Sequence, residues 1–233
     1  MKRYRGFLFD ADNTLFDYDR AEKEALTETL GEAIPDVPIE EALSAYHDIN
    51  ADFWRRFEQG TISLKELKTG RFRSLLDSLG HDGDAERISR RYLERLSTRA
   101  YFLPHAREVV EALARSSSLG LITNGISMVQ RGRLERSGIS ERFRAIIISE
   151  ELGTAKPDPR FFQAAVEEMS IPAEELLCVG DNPGSDIEGA RTAGIDACWF
   201  APDGREWPGP GEPPLLRIRD LRELLSFTSP IFT

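Results

Sequence analysis

Four aspartates and one lysine in this 233-residue chain have the types and spacings that phosphoryl chemistry needs. Asp10 and Asp12 follow the apolar run Gly6 to Phe9, and Thr123-Asn124-Gly125 closes a second apolar run. Lys156-Pro157-Asp158 comes shortly after a third. Gly180-Asp181-Asn182 ends a fourth, with Asp186 close behind. Taken singly, each has an ordinary reading: a strand-end Asp is often a helix N-cap, Thr-Asn-Gly a turn, Lys-Pro a surface pair. In this order, all at the ends of apolar runs, they point to one crevice.

Asp10, Asp12, Asp181 and Asp186 could place four negative charges there. Two unit charges about 4 Å apart repel by about 4 kcal/mol at an effective dielectric of about 20. Such a cluster needs a cation or a changed protonation. Hard carboxylate oxygens favour Mg²⁺, which takes few protein carboxylates plus water and a substrate phosphate. His47, His81 and His105 are scattered, so no zinc spacing exists. A carboxylate at Asp10 could attack phosphorus and form an aspartyl phosphate. Asp12 could protonate the leaving oxygen and then activate water. Phosphate monoester hydrolysis is accelerated by up to ~10²¹, or roughly 28 kcal/mol. Acid–base help supplies ~10²–10⁴ and positioning roughly 7–11 kcal/mol. Charge stabilisation must supply the rest, and Mg²⁺, Lys156 and the donors around Thr123 are at hand.

The elements that must position these residues follow from the pattern. Gly6 to Phe9, apolar on both faces, reads as a central parallel strand. Asp19 and Glu22 fit a capping box at a helix start. Four segments with helical spacing follow to about Arg99, separated by Gly31, Pro35 to Pro38, Gly60 and Gly80 to Gly83. After Pro104 the pattern alternates. Strands are expected at SLGLITNG, RAIIISEE, ELLCVGDN and DACWFAP, with helices at REVVEALARS, MVQRGRLERSG, PRFFQAAVEEMS and SDIEGARTAG. That βα alternation demands a parallel sheet with crossover helices. A Pro/Gly-rich loop over 203–214, a strand LLRI and a helix LRELLSF close the chain. The expected organisation is an α/β core over 1–15 and 100–233, interrupted by a helical insert over 16–99. In such sheets ligands bind beyond the carboxyl ends of the strands, where the four sets fall.

Composition narrows the classes. Forty acidic and 30 basic residues give a net charge of −10, against a role in gripping nucleic acid or an anionic membrane. Cys178 and Cys198 each lie in an apolar run and read as reduced core thiols. No apolar stretch has signal-peptide or membrane-span length, so the cytoplasm is the expected location.

The same residues carry a family resemblance. FDADNTL resembles the first motif of the haloacid dehalogenase superfamily, ITNG the second, GTAKPD the third and VGDNPGSD the fourth. The match spans essentially the whole chain. It implies a Rossmann-like three-layer core with a mobile helical-bundle cap inserted after the first motif. It also implies roles. Asp10 is then the nucleophile and a Mg²⁺ ligand, and Asp12 the general acid/base, giving its backbone carbonyl to Mg²⁺. Thr123 and the Asn124 amide hold the phosphoryl group. Lys156 neutralises nucleophile and phosphoryl charge, Asp181 ligates Mg²⁺, and Asp186 assists directly or through water. The dehalogenases of the superfamily lack an Asp at the position of Asp12, so its presence favours phosphoryl transfer.

The stretch INADFWRRFEQGTISLKELKTGRF resembles the cap of the bacterial pyrimidine 5′-nucleotidase subgroup. The implied activity is that of a phosphatase, a 5′-nucleotidase acting on a nucleoside monophosphate, as monomer or homodimer. Phe53, Trp54 and Phe57 could pack the cap core or stack on a base, and Arg71 and Arg73 could meet an anionic or carbonyl group or lie on the surface. The alternatives are an N-acylneuraminate-9-phosphatase, a sugar-phosphate phosphatase or phosphomutase, and a non-enzymatic phosphometabolite-binding regulatory protein. A binder, however, has no need of a nucleophile.

Overall fold

A computed structural model describes residues 2–209 and 211–228. Pro210 of the expected Pro/Gly-rich loop, Met1, and residues 229–233 at the end of the expected core lie outside them. The chain divides into two compact units, Met1–Tyr18 with Ala100–Thr233, and Asp19–Arg99. No helix among the described residues is long and apolar enough to cross a membrane.

β1 (Gly6–Asp10) opens the chain. Four helices follow: α1 (Tyr18–Ala33), α2 (Ile39–Glu58), α3 (Leu64–Ser78) and α4 (Ala85–Ser97). The remainder alternates through α5 (Ala106–Leu113), β2 (Ser118–Thr123), α6 (Ser127–Ser137), β3 (Ala145–Ile148), α7 (Ser149–Leu152), α8 (Pro159–Met169) and β4 (Leu176–Gly180). A widened helical turn (Pro183–Glu188), α9 (Gly189–Thr192), β5 (Asp196–Phe200), β6 (Leu216–Ile218) and a 3-10 segment (Leu221–Phe227) complete it.

The six strands form one parallel sheet in the order β3-β2-β1-β4-β5-β6. Alternation along β1 separates its two faces. Phe7 and Phe9 pack with Val109, Val110 and Leu113 of α5 and with Leu221 and Leu224 of the 3-10 segment. Leu8 packs with Phe161, Phe162, Ala165 and Met169 of α8. Each large apolar side chain buried this way contributes roughly 1.5–3 kcal/mol. Helices on both faces make the Rossmann-like three-layer α/β architecture.

Three local differences have physical reasons. β3 stops at Ile148, short of the expected Glu151. Ser149, Glu150 and Glu151 cannot continue a buried strand; they form α7, whose glutamates accept from Ser127 N at 2.7 Å and Arg131 Nη2 at 2.6 Å on α6. The helix expected from Ser185 begins at Pro183 with a wide turn, in which Ile187 N donates to Asn182 O at 3.3 Å. Asp19 does not cap α1. The helix starts at Tyr18, whose N–H donates to Asn13 Oδ1 at 3.1 Å, so Asp19 lies in its first turn.

Glu22 instead turns into the helical unit and accepts from Asn50 Nδ2 at 3.2 Å and Tyr92 Oη at 3.1 Å. Arg71, 1 % exposed, donates to Asn50 Oδ1 at 2.7 Å. The rings of Tyr46, Phe72 and Tyr92 surround its guanidinium at 5.3–5.8 Å. Arg71 is therefore interior, whereas Arg73 is exposed. Phe53 is buried with Ile62 and Leu67, and Trp54 and Phe57 pack on that cluster edge to face, 5.9 Å apart.

Candidate active site

The sheet order creates a switch point. From β1 the chain builds outward to β2 and β3, then returns to β4 on the other side of β1. Ligand crevices open at the carboxyl ends of such strands. Asp10 ends β1, Thr123 ends β2, and Asp181 follows Gly180 at the end of β4.

Lys156 joins the ends of β1 and β2 to the wide turn that follows β4. It is 2 % exposed, and its Nζ donates to Asp10 Oδ1 at 2.7 Å, Asp186 Oδ1 at 2.6 Å and Ile122 O at 3.2 Å. Burial pulls the ammonium down, but the charges of Asp10 and Asp186 overcome it and hold Lys156 above the ordinary lysine range. Its backbone is fixed by Asn124. Asn124 Oδ1 accepts from Lys156 N at 2.8 Å, and Asn124 Nδ2 donates to Lys156 O at 2.8 Å. The Asn124 side chain is thus committed to the lysine loop. Thr123 is buried, and its Oγ1 accepts from Gly125 N at 3.0 Å, which leaves the hydroxyl proton to donate. Asp158 caps α8.

Asp10, Asp181 and Asp186 place one carboxylate oxygen each within 4.8 Å of one another. Burial, with the neighbouring carboxylates, pushes Asp10 well above the usual carboxylate range against the pull of Lys156. Burial and the Asp186 charge push Asp181 up to about 7. Asp186 accepts from Asn182 N at 3.0 Å through Oδ2. Gly180 is required for that approach, since a Cβ there would stand 2.3 Å from Asp186 Oδ2. Trp199 Nε1 and Arg205 Nη2 donate to Asp181 O at 3.0 and 3.1 Å and fix its backbone. Three crowded carboxylates of hard oxygen, two of them resisting ionisation, are a donor set that fits Mg²⁺.

Asp12 is arranged differently. Its carboxylate is not one of the three and has its own cation. Arg133 Nη1 donates to Asp12 Oδ1, and Gln130 Nε2 donates to Asp12 Oδ2 at 2.7 Å. Of the four aspartates that could share one crevice, three carboxyl groups gather beside Lys156, and Asp12 forms a separate ion pair. Gln130 and Arg133, and the Trp199 and Arg205 contacts to Asp181, go beyond the sequence reading. A signal for the first two existed: they share the buried stripe of α6 with Val129 and Leu134, where apolar residues belong.

Residues 4–194 match the model of the haloacid dehalogenase-like hydrolases. The pyrimidine 5′-nucleotidase PynA of Streptococcus pneumoniae is 36% identical over 202 residues, 85% of this chain and 84% of that protein. A phosphoserine phosphatase of Thermus thermophilus is 34% identical over 210 residues, 88% of this chain and 83% of that protein. A crystal structure of the HAD-hydrolase YfnB of Bacillus subtilis bound to magnesium superposes with a TM-score of 0.88 at 32% identity, over 97% of this chain and 98% of that one. The motif pattern, the parallel sheet and the family match agree, and the chain belongs to the haloacid dehalogenase-like hydrolases.

Proposed function

We propose that this hydrolase is a Mg²⁺-assisted phosphomonoesterase that works through an aspartyl phosphate on Asp10, and that its substrate is a pyrimidine nucleoside 5′-monophosphate. The observation that carries the reaction is the buried Lys156 bridging Asp10 and Asp186 beside the third carboxylate, Asp181.

In this reading an Asp10 oxygen attacks phosphorus, the bond from phosphorus to the leaving oxygen breaks, and Asp12 gives that oxygen its proton. Water then attacks the phosphorus of the aspartyl phosphate and gives its proton to Asp12. The bond from phosphorus to Asp10 breaks, which releases inorganic phosphate and restores both carboxyl groups. Lys156 holds Asp10 in place and opposes the charge gathered around it. The Thr123 hydroxyl and the Asn124 amide donate to phosphoryl oxygens. Asp10, Asp181, Asp186 and the Asp12 carbonyl would hold Mg²⁺, which supplies charge neutralisation for the phosphoryl oxygens.

The substrate half rests on similarity to PynA and on the resemblance of the stretch from Ile49 to Phe72 to the nucleotidase cap. We assign leaving-group selection to the insert, 16–99, and the chemistry to the core, 1–15 with 100–233. The likeness to a phosphoserine phosphatase supports the phosphomonoester and leaves the pyrimidine to experiment.

The test is phosphate release with Mg²⁺ over UMP, dUMP, dTMP, purine monophosphates, phosphoserine, N-acylneuraminate 9-phosphate and hexose phosphates, compared by kcat/KM. A preference for pyrimidine monophosphates of about tenfold, or about 1.4 kcal/mol of transition-state discrimination, is expected. A flat profile, or a preference for phosphoserine, refutes the substrate and leaves the reaction standing. Phosphate returned to bound sugar without net release points to a mutase and refutes the hydrolase.

A further inference from the structure

The pair on α6 that holds Asp12 has no place in the reaction as derived so far. Gln130 is 1 % exposed and Arg133 0 %. They stand three apart on one helical face and engage both oxygens of a single carboxylate, one oxygen each. Arg133 has no other acidic partner among the described residues. Its Nε and Nη2 have no hydrogen-bond acceptor there; instead the guanidinium lies over the rings of Phe16 at 4.7 Å and Tyr18 at 5.8 Å. Room is made for the other donor as well. A Cβ on Gly125 would stand 2.1 Å from Gln130 Nε2 and 2.7 Å from its Cγ, so the glycine of Thr123-Asn124-Gly125 is what lets Gln130 reach Asp12.

A buried ion pair is a poor source of stability, since apolar replacements are often as good or better. Two buried donors aimed at one carboxylate, with a glycine cleared for one of them, do something apolar side chains cannot: they fix where its oxygens lie. Each oxygen accepts one bond in the clamp and keeps capacity for another. The helix that provides the clamp is also the one that begins just beyond Thr123-Asn124-Gly125. α6 is itself braced, by Arg131 on Glu151 at 3.0 and 2.6 Å and by Ser127 N on Glu150 at 2.7 Å. One rigid element therefore joins the phosphoryl donors to the acid/base group.

We infer that Gln130 and Arg133 are positioning residues for Asp12, setting the reach of its carboxylate to the leaving oxygen and to the attacking water. The inference rests on the phosphomonoesterase reading. Both residues spend their contacts on Asp12, and the phosphoryl donors of that reading are Thr123 and Asn124. Their loss therefore slows proton transfer in both half-reactions and leaves substrate binding alone.

The experiment compares wild type with Arg133→Met, Arg133→Lys, Gln130→Met and Asp12→Asn on UMP and on p-nitrophenyl phosphate, whose leaving group needs little protonation. Circular dichroism and melting verify that each variant is folded. For Gln130→Met and Arg133→Met we expect kcat on UMP to fall about 10–100-fold, within the ~10²–10⁴ that acid–base catalysis supplies, while KM changes less than about threefold. On the aryl phosphate the first half-reaction survives and the second limits. A burst of nitrophenol approaching one equivalent per site then precedes a slow steady state. Arg133→Lys, which keeps the charge, recovers part of the UMP rate.

A purely structural role would lower melting temperature and active fraction equally for both substrates, with no burst. Folded variants that keep the wild-type kcat on UMP overturn the inference. If Arg133→Met fails to fold, Gln130→Met decides by the same criteria. Wild-type turnover that Asp12→Asn abolishes and the clamp variants leave intact refutes the clamp alone. A wild type that releases phosphate from nothing in the panel refutes the phosphatase reading and the clamp together.

Discussion

Replacing Lys156 by Met removes the buried cation and keeps most of the side-chain volume. In the wild type Lys156 Nζ sits 2.7 Å from Asp10 and 2.6 Å from Asp186, at 2 % exposure, so both carboxylates lose their buried partner at once. Breaking a buried ion pair by deleting one side costs roughly 3–5 kcal/mol. Because the two contacts share one cation, that range applies once. For a chain of this size it lowers Tm by roughly 6–20 °C, at about 2–4 °C per kcal/mol. The deficit depends on pH. Burial already holds Asp10 above the usual carboxylate range against the pull of Lys156, and the substitution raises it further. A carboxyl whose folded pKa lies above its unfolded value contributes stability below the unfolded pKa and loses it as pH rises through the folded one. The variant should therefore be closest to wild type at about pH 4–5 and furthest from it near pH 8. Thermal melts across that range without divalent ions, repeated with Mg²⁺, are the assay. Mg²⁺ should recover part of the loss, since a cation near Asp10 does again what the lysine did. Phosphate release should fall by at least ~10²-fold, the loss typical of one preorganised charge-stabilising group. A variant that melts within about 2 °C of wild type near pH 8 without Mg²⁺ would refute the electrostatic argument, because the ion pair would then contribute almost nothing.

Asp10→Asn should keep the fold and lose at least ~10³-fold in phosphate release, because an amide is not a nucleophile here; turnover within about tenfold of wild type contradicts a covalent mechanism. Gly180→Ala puts a methyl 2.3 Å from Asp186 Oδ2, so Asp186 must shift, and Mg²⁺ affinity measured by calorimetry should weaken at least about tenfold. With Asp181 raised to about 7 and Asp10 also raised, the metal-free protein should lose stability as pH climbs from about 4 through 7. Mg²⁺ should bind more tightly and add more to Tm near pH 8 than near pH 5, because protons compete for the same oxygens; a Tm gain independent of pH argues against these ligands.

The fold was legible wherever one face or two of an element had to be apolar. Runs such as GFLF and LLCVG admit no helix of useful length, and the helical stretches between them alternate with strands as a parallel sheet requires. The elements missed were those whose form is decided by contacts distant in sequence. α7 exists because Glu150 and Glu151 meet α6, and the wide turn at Pro183 because Asp186 must reach Lys156. Arg71 was left between a ligand contact and the surface, because the three rings around it come from α2, α3 and α4. In the site, the order of the motifs along the strand ends pointed to Asp10, Asp12, Thr123, Lys156, Asp181 and Asp186 as one group; the structure joins Asp10, Lys156 and Asp186, keeps Asp181 beside them, and gives the Asp12 carboxylate to Arg133 and Gln130. Gln130 and Arg133 were hidden by their setting. Arg131 and Arg136 stand on the same helix, and only the coincidence of Gln130 and Arg133 with the Val129 and Leu134 stripe marks them as interior. The partner that explains them, Asp12, lies 118 and 121 positions away.

The covalent step is tested most directly by acid-quenching the enzyme during turnover of UMP with Mg²⁺ and mapping its peptides by mass spectrometry. The expected result is a peptide containing Asp10 that is about 80 Da heavier by one phosphoryl group, absent from Asp10→Asn and, with p-nitrophenyl phosphate in place of UMP, more abundant in Asp12→Asn. Turnover without that adduct, together with an Asp10→Asn variant that still releases phosphate, would contradict the assignment of Asp10 as nucleophile.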